Sequence, residues 1–124
     1  MIIEIEYYLS AAITLTITLI AANFFVAPYA AAQGFGVAVA PNARWDAYLS
    51  AKAIRDFGVG IFIAMLIAAR SNQLLGSFLL VVTIIQLADG VVVLKHGGRK
   101  AAAFGIHGAM ASISLITSSS LLLG

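Results

Sequence analysis

The sequence predicts an all-α fold, a single bundle of four transmembrane helices with antiparallel neighbours. Three observations predict it. Four apolar stretches of about 20 residues or more make up nearly all of the chain, and each can cross a hydrocarbon core of roughly 30 Å. Of 124 residues, 62% are hydrophobic and 10% charged, against roughly 25% charged in soluble domains. The breaks between the stretches are polar or rich in Gly and Pro. A chain this short leaves too much surface exposed to hide so much apolar side chain in a soluble core, so lipid has to cover it. One domain, residues 1–124, is expected.

The first helix is expected at about 8–29. Its acidic start, Glu4 and Glu6 with no Lys or Arg, and its long apolar run argue for a retained span, although Ala30-Ala31-Ala32 resembles a leader cleavage site. A loop from about Ala30 to Asp46 follows, marked by Gln33-Gly34-Phe35-Gly36 and Pro41-Asn42. The second helix is expected at about 47–69 and the third at about 73–94, joined by the tight turn Arg70-Ser71-Asn72. Lys95-His96-Gly97-Gly98-Arg99-Lys100 makes a hairpin loop before the fourth helix, at about 101–123. Short loops make sequential helices antiparallel neighbours. Thr14, Thr16 and Thr18 alternate as a strand would, but inside an apolar helix their hydroxyls can bond carbonyls one turn back.

Charge gives orientation and excludes whole classes of function. Arg44, Lys95, Arg99 and Lys100, with Lys52 near them, fall on one side of the bundle, and Arg70 alone falls on the other, facing Glu4 and Glu6. The positive-inside rule puts the basic loops in the cytoplasm and both termini outside. Tyr7 and Tyr8 suit one interface, Trp45 and Tyr48 the other. The formal charge of +2 is spread without a dense basic run, so no nucleic acid is expected as partner. The absence of cysteine excludes disulfides, thiol chemistry and cysteinyl metal sites.

The candidate functional residues lie at one depth. Asn23 in the first helix, Arg55 and Asp56 in the second, Asp89 in the third and His107 in the fourth all fall roughly 8–14 Å below the basic edge at 1.5 Å per residue. Carboxylates at membrane depth are costly, by about 2.5–3.5 kcal/mol at a helix centre, and mark functional sites by default. Tyr48, Lys52, Arg55 and Asp56 follow an i, i+4, i+7, i+8 stripe, and Gln86 lies one turn from Asp89. Gly58, Gly60 and Ala64, with Gly105, Gly108 and Ala109, are small enough to let helices approach closely. The plainer readings are a buried ion pair that fixes helix register, with Arg55 reaching Asp56 or Asp89, and a Lys52 that snorkels to the headgroups.

The run Lys52-Ala53-Ile54-Arg55-Asp56-Phe57-Gly58-Val59-Gly60 resembles a motif of a family of small four-helix membrane proteins, domain of unknown function 4267. The resemblance extends over nearly the whole chain: Gly34-Phe35-Gly36 after helix one, the Arg55-Asp56 pair, Asp89 in helix three and His107 in helix four. It implies the four-helix fold and implies that these residues form the site; it implies no activity. Small multidrug exporters, small fluoride channels and haem-bundle cytochromes each need residues that are missing here, as do the quinone-linked thiol oxidases. No ATP-binding loop, zinc motif or serine-nucleophile motif is present.

Three functions compete. The favoured one is a cofactor-independent acid-base enzyme of isomerase, cyclase or epoxide hydrolase type, or a binder, acting on a lipophilic small molecule that enters sideways from lipid. Asp56 and Asp89 are then the acid-base pair, Arg55 orients one of them, His107 joins the catalytic group, and Asn23, Tyr48, Lys52 and Gln86 hold substrate. The alternatives are a proton-coupled transporter or ion pathway and an accessory subunit of a membrane complex. The expected partners are the bilayer and the lipophilic ligand, with no metal and no cofactor; a homo-oligomer is compatible with all three.

Overall fold

Five helices carry the chain in a computed structural model that describes residues 2–37 and 39–124, leaving Met1 and Ala38 outside the description. They are α1 (Ile2–Val26), α2 (Pro28–Phe35), α3 (Ala43–Ala69), α4 (Asn72–Lys95) and α5 (Gly108–Leu123), the last entered through a π-helical turn, Ala102–His107. No strand occurs among the described residues.

The largest departure from expectation is α2. The first span ends at Val26 rather than Tyr29, and the first half of the expected loop is helical. Pro28 is the cause. It disfavours helical geometry at the residue before it, and Ala27 takes φ −139° and ψ 70°. The same proline then suits the first turn of the next helix, where its missing N–H has no intrahelical acceptor. Gly36 ends α2 with φ +123°, and any Cβ there would fall 2.8 Å from a Val93 methyl and 2.9 Å from Ala102 Cβ. Only glycine fits both the backbone and the space. Asn42 then starts α3 four residues earlier than expected: its side chain accepts from the Trp45 N–H at 2.9 Å.

α1 packs chiefly on α3, and α4 on α5, while α1 and α5 join the two pairs; α3 and α4 touch little despite the short turn between them. Two glycines allow the closest approaches. Gly60 of α3 faces Thr18 and the Thr14 carbonyl of α1, and Gly76 of α4 faces Leu121 and Leu122 of α5, whose Ser118 donates to the Gly76 carbonyl at 2.6 Å. Gly58 and Gly105, expected at such contacts, have open space where a side chain would be. Thr14, Thr16 and Thr18 donate to carbonyls four residues back, as the apolar helix requires. At the α3–α4 turn Arg70 pairs with Glu4 at 3.0 Å and covers the Tyr7 ring, while the Tyr7 hydroxyl donates to Asn72 at 2.7 Å. Tyr7 is therefore buried in the bundle and only Tyr8 is exposed as an interface residue would be.

The core has two parts. Ile13, Ile17, Ile63, Leu75, Leu79 and Val82 belong to a large apolar cluster in the half nearer the termini. Phe24, Ala31, Ala32, Leu49 and Ala53 form a small one beneath α2. Outward, Leu19, Met65, Ile84 and Ile116 are each at least 60% exposed, so apolar side chains point to the surroundings on every helix pair. Three helical stretches, Glu4–Val26, Asn72–Lys95 and Ala102–Leu123, are long and apolar enough to cross a membrane. α3 is longer than any of them but carries Lys52, Arg55 and Asp56.

Candidate functional site

Between the two core clusters lies a chamber of about 240 Å³. Its floor is apolar, made by Ile17, Val59, Val82 and Met110, and α2 covers it through Ala31, Gly34 and Phe35. Six of the eight residues singled out by the sequence line it: Asn23, Lys52, Asp56, Gln86, Asp89 and His107. Arg55 and Tyr48 do not, and both are exposed.

The expected ion pair is corrected. Lys52, not Arg55, bonds Asp56, at 3.0 Å, and Arg55 makes no salt bridge among the described residues. Helix geometry explains this. Four residues place Lys52 one turn above Asp56, whereas Arg55 points about 100° away from its neighbour. A stripe at i, i+4, i+7, i+8 is wide, and only its i+4 and i+8 positions, Lys52 and Asp56, turn inward here. Lys52 does not snorkel outward either: its ammonium stands 5.1 Å from the centre of the Phe24 ring and 4.7 Å from that of Phe35, a cation–π setting on two faces.

His107 is placed by the π-helical turn, which carries an extra residue and so resets the face that the following side chain presents. Gly90 of α4 lets this turn come close, with the Ala103 carbonyl and His107 Cβ lying 3.4 and 3.5 Å from where a Gly90 Cβ would be. The imidazole is 4% exposed and meets the Phe35 ring edge-on at 4.5 Å. Its Nε2 lies 3.0 Å from the Phe35 carbonyl oxygen. A carbonyl only accepts, so Nε2 carries the proton. In the neutral ring Nδ1 is then the lone-pair nitrogen, directed toward the Gln86 amide at 3.5 Å, whose amino end can face it after a half-turn. Asp89, one turn beyond Gln86, is half-buried and has neither a hydrogen bond nor an ion pair among the described residues. The chamber thus holds one neutralised carboxylate, one carboxylate without a partner and one oriented histidine. The imidazole and the Asp89 carboxyl can each accept or return a proton beside an apolar floor.

α2 is fixed over the chamber from both ends. Arg99 donates to the Gln33 carbonyl at 2.9 Å, and its backbone N–H donates to the Gly36 carbonyl at 3.1 Å. At the other end the Tyr29 hydroxyl donates to the Asp46 carboxylate and accepts from the Asn42 N–H at 3.2 Å. The Asp46 acceptor holds the Tyr29 phenol above its ordinary value of 10.0. A raised folded-state value means that this contact stabilises fully below about pH 10 and is lost as pH rises through the higher, folded value. Absorbance titration should show one tyrosine ionising late, coupled to loosening of α2. Tyr29→Phe should remove that late step; an unchanged titration in the variant would show that the contact does not govern it.

One feature of the site and one far from it escaped the sequence reading. The Phe35 carbonyl and ring orient His107 and Lys52, a role that depends on α2, which Pro28 and Gly36 mark as a helix bounded by proline and glycine. Glu6, expected to face Arg70, is instead 3% exposed, with both carboxylate oxygens lacking a partner among the described residues, while Arg70 takes Glu4. No group of three or more His, Asp or Glu close enough to hold a metal occurs among the described residues.

The family described as Domain of unknown function (DUF4267) matches residues 14–121, which includes every chamber residue. No curated protein and no solved structure matches the chain.

Proposed function

The chain belongs to the family of the domain of unknown function DUF4267, and from that premise we propose that it is a four-span membrane protein whose chamber binds a lipophilic small molecule and performs acid-base chemistry on it. The single observation that carries this is the presence, in one chamber with an apolar floor, of an oriented His107 and of an Asp89 that has no hydrogen bond or ion pair among the described residues. α3 is the fourth span: beyond its first turn its charged residues are Lys52, Arg55 and Asp56, the ones the site uses or leaves at the rim, so their presence in the span reflects the chamber. The basic loops face the cytoplasm and both termini lie outside, on the bias of Lys and Arg. The ligand enters from the adjoining leaflet, since the lining residues Ile20, Ile85 and Ile106 are also exposed on the outer surface.

In this reading His107 Nδ1 and Asp89 are the acid-base pair, with Phe35 holding the imidazole. Asp56 and Lys52 supply a local, self-neutralised dipole, and Asn23 and Gln86 position the polar part of the substrate. The pair assigned from sequence, Asp56 with Asp89 and Arg55 as orienter, gives way because Lys52 occupies Asp56 and Arg55 faces outward. Isomerisation, cyclisation or epoxide opening each needs a group to take a proton and a group to give one, and needs no further cofactor. A proton pathway has one observation in its favour, the buried Glu6. Glu6 stands about 25 Å along α1 from Asn23 at 1.5 Å per residue, and the apolar cluster around Ile63, Leu75 and Leu79 fills the interval.

Native mass spectrometry of protein purified from its own membrane tests the proposal. The wild type should carry an apolar adduct that Met110→Trp, which fills the chamber floor, loses while keeping its helix content. An adduct retained equally by both would place the bound molecule outside the chamber.

A further inference from the structure

The ionised side chains of the chamber do not balance. Lys52 brings one positive charge, and Asp56 and Asp89 bring one negative charge each. Lys52 bonds Asp56 at 3.0 Å and makes no salt bridge with Asp89 among the described residues. Arg55, the next cation on α3, is exposed and does not line the chamber. The neutral imidazole of His107, with its Nε2 proton on the Phe35 carbonyl and its Nδ1 toward the Gln86 amide, adds no charge. One carboxylate therefore stands beside an apolar floor without a counter-charge among the described residues. Charged groups at membrane depth are costly and ordinarily pair with a partner.

Hydrogen bonding alone does not choose the ligand, because the amides of Asn23 and Gln86 offer both donors and acceptors. Charge chooses it. An anionic ligand would add to the excess at Asp56 and Asp89, and a neutral one would leave Asp89 uncompensated. A cation brings the chamber to neutrality, in a region of low dielectric where opposite charges attract strongly. Lys52 does not stand in its way, since Asp56 already neutralises it. The same chamber shows that an ammonium is tolerated here: that of Lys52 stands 5.1 and 4.7 Å from the ring centres of Phe24 and Phe35. An ammonium has only donors, and with the Gln86 amino end turned to Nδ1 the Gln86 and Asn23 oxygens and the Asp89 carboxylate are there to accept from it. An apolar cavity of about 150 Å³ holds benzene, so a chamber of 240 Å³ takes roughly ten non-hydrogen atoms on the same scale. We propose that the chamber takes a lipophilic amine in its ammonium form, of about ten heavy atoms, whose N–H groups donate to Asp89 while its hydrocarbon body lies on Val59, Val82 and Met110. This rests on the reading of the chamber as a ligand site and adds the charge and class of the ligand. A proton on Asp89 is the competing way to balance the charge, and it would leave the chamber indifferent between an amine and an alcohol.

The test uses full-length protein with ¹⁵N-labelled histidine in nanodiscs of zwitterionic lipid. The chain has two histidines, and the exposed His96, which faces the Val92 carbonyl through Nδ1, is the internal control. Before any probe is added, the two ring nitrogens of His107 should differ widely in shift, as in a neutral ring. Near-equal shifts, the mark of an imidazolium, would supply the missing positive charge and overturn the assignment. The probes are nonylammonium, 1-nonanol and nonanoate at matched concentrations in the bilayer. Nonylammonium should shift the His107 nitrogens saturably, leave His96 unmoved, and bind about tenfold more tightly than 1-nonanol, as a charge-assisted bond does over a neutral one. Asp89→Asn should abolish that preference and Asp89→Glu, which keeps the charge, should retain it. Met110→Trp, with helicity confirmed by circular dichroism, should abolish the response. Equal binding of 1-nonanol, tighter binding of nonanoate, or an ammonium preference that survives Asp89→Asn overturns the amine assignment and leaves the ligand chamber standing. A nonylammonium response that survives Met110→Trp places the amine elsewhere and overturns the assignment too. No saturable shift at His107 with any probe overturns both the assignment and the chamber reading beneath it.

Discussion

Asp89→Asn should yield a folded, helical protein whose turnover of the chamber substrate falls about 100-fold or more, the usual contribution of a positioned acid or base. The amide matches the carboxyl in shape, and no ion pair is lost, because Asp89 has none among the described residues. His107→Gln should fall comparably, since it removes Nδ1 of the imidazole that the Phe35 carbonyl orients through Nε2. Thermal unfolding should separate this from a structural effect. If Asp89 and His107 only hold helices together, both variants lose stability while the surviving protein turns over normally.

The second large effect concerns stability and divides two cationic neighbours. Lys52→Met strands the Asp56 carboxylate about a quarter exposed, 24%, and should cost about 1–3 kcal/mol. Arg55→Met, three residues away and outward, should stay within about 0.5 kcal/mol, as for a surface change. Replacing both partners, Lys52→Met with Asp56→Leu, should recover much of the loss, since a matched apolar pair avoids stranding either charge. A larger loss from Arg55→Met than from Lys52→Met would return Asp56 to Arg55 and undo the geometry described here.

Much of this was readable from residue types and spacing, and the failures have identifiable causes. The helical class followed from apolar length, and the shared depth of Asn23, Asp56, Asp89 and His107 followed from 1.5 Å per residue, because depth along a span needs only a count. Facing was harder. A stripe that contains both Lys52 and Arg55 beside Asp56 does not say which cation turns inward, and that depends on how α1 and α2 place Phe24 and Phe35. α2 was missed because Gly34-Phe35-Gly36 reads as a loop, although Pro28 eight residues before Gly36 marks its limits. The π-helical turn left no sequence signal, since one extra residue in an unbroken apolar helix changes phase without changing composition. Glu6 was misassigned because an acidic residue near a helix start looks like a flank, and only packing reveals that it lies on the buried face with Ser10 and Ile13.

The central claim is that the polar groups line a chamber beneath α2 that is closed toward the termini by apolar packing. The chain has no cysteine, so single cysteines report on this directly. The decisive measurement is the reaction of Asn23→Cys, Gln86→Cys and Ser114→Cys with a membrane-impermeant thiol reagent added to one face of sealed vesicles at a time. Asn23→Cys and Gln86→Cys should react only from the side of the Lys95–Lys100 loop, and Ser114→Cys, at a position fully buried in the other half, should react from neither side. Labelling of Ser114→Cys from the terminal side, together with labelling of Gln86→Cys from both sides, would reveal a water-filled route through the bundle and contradict the chamber.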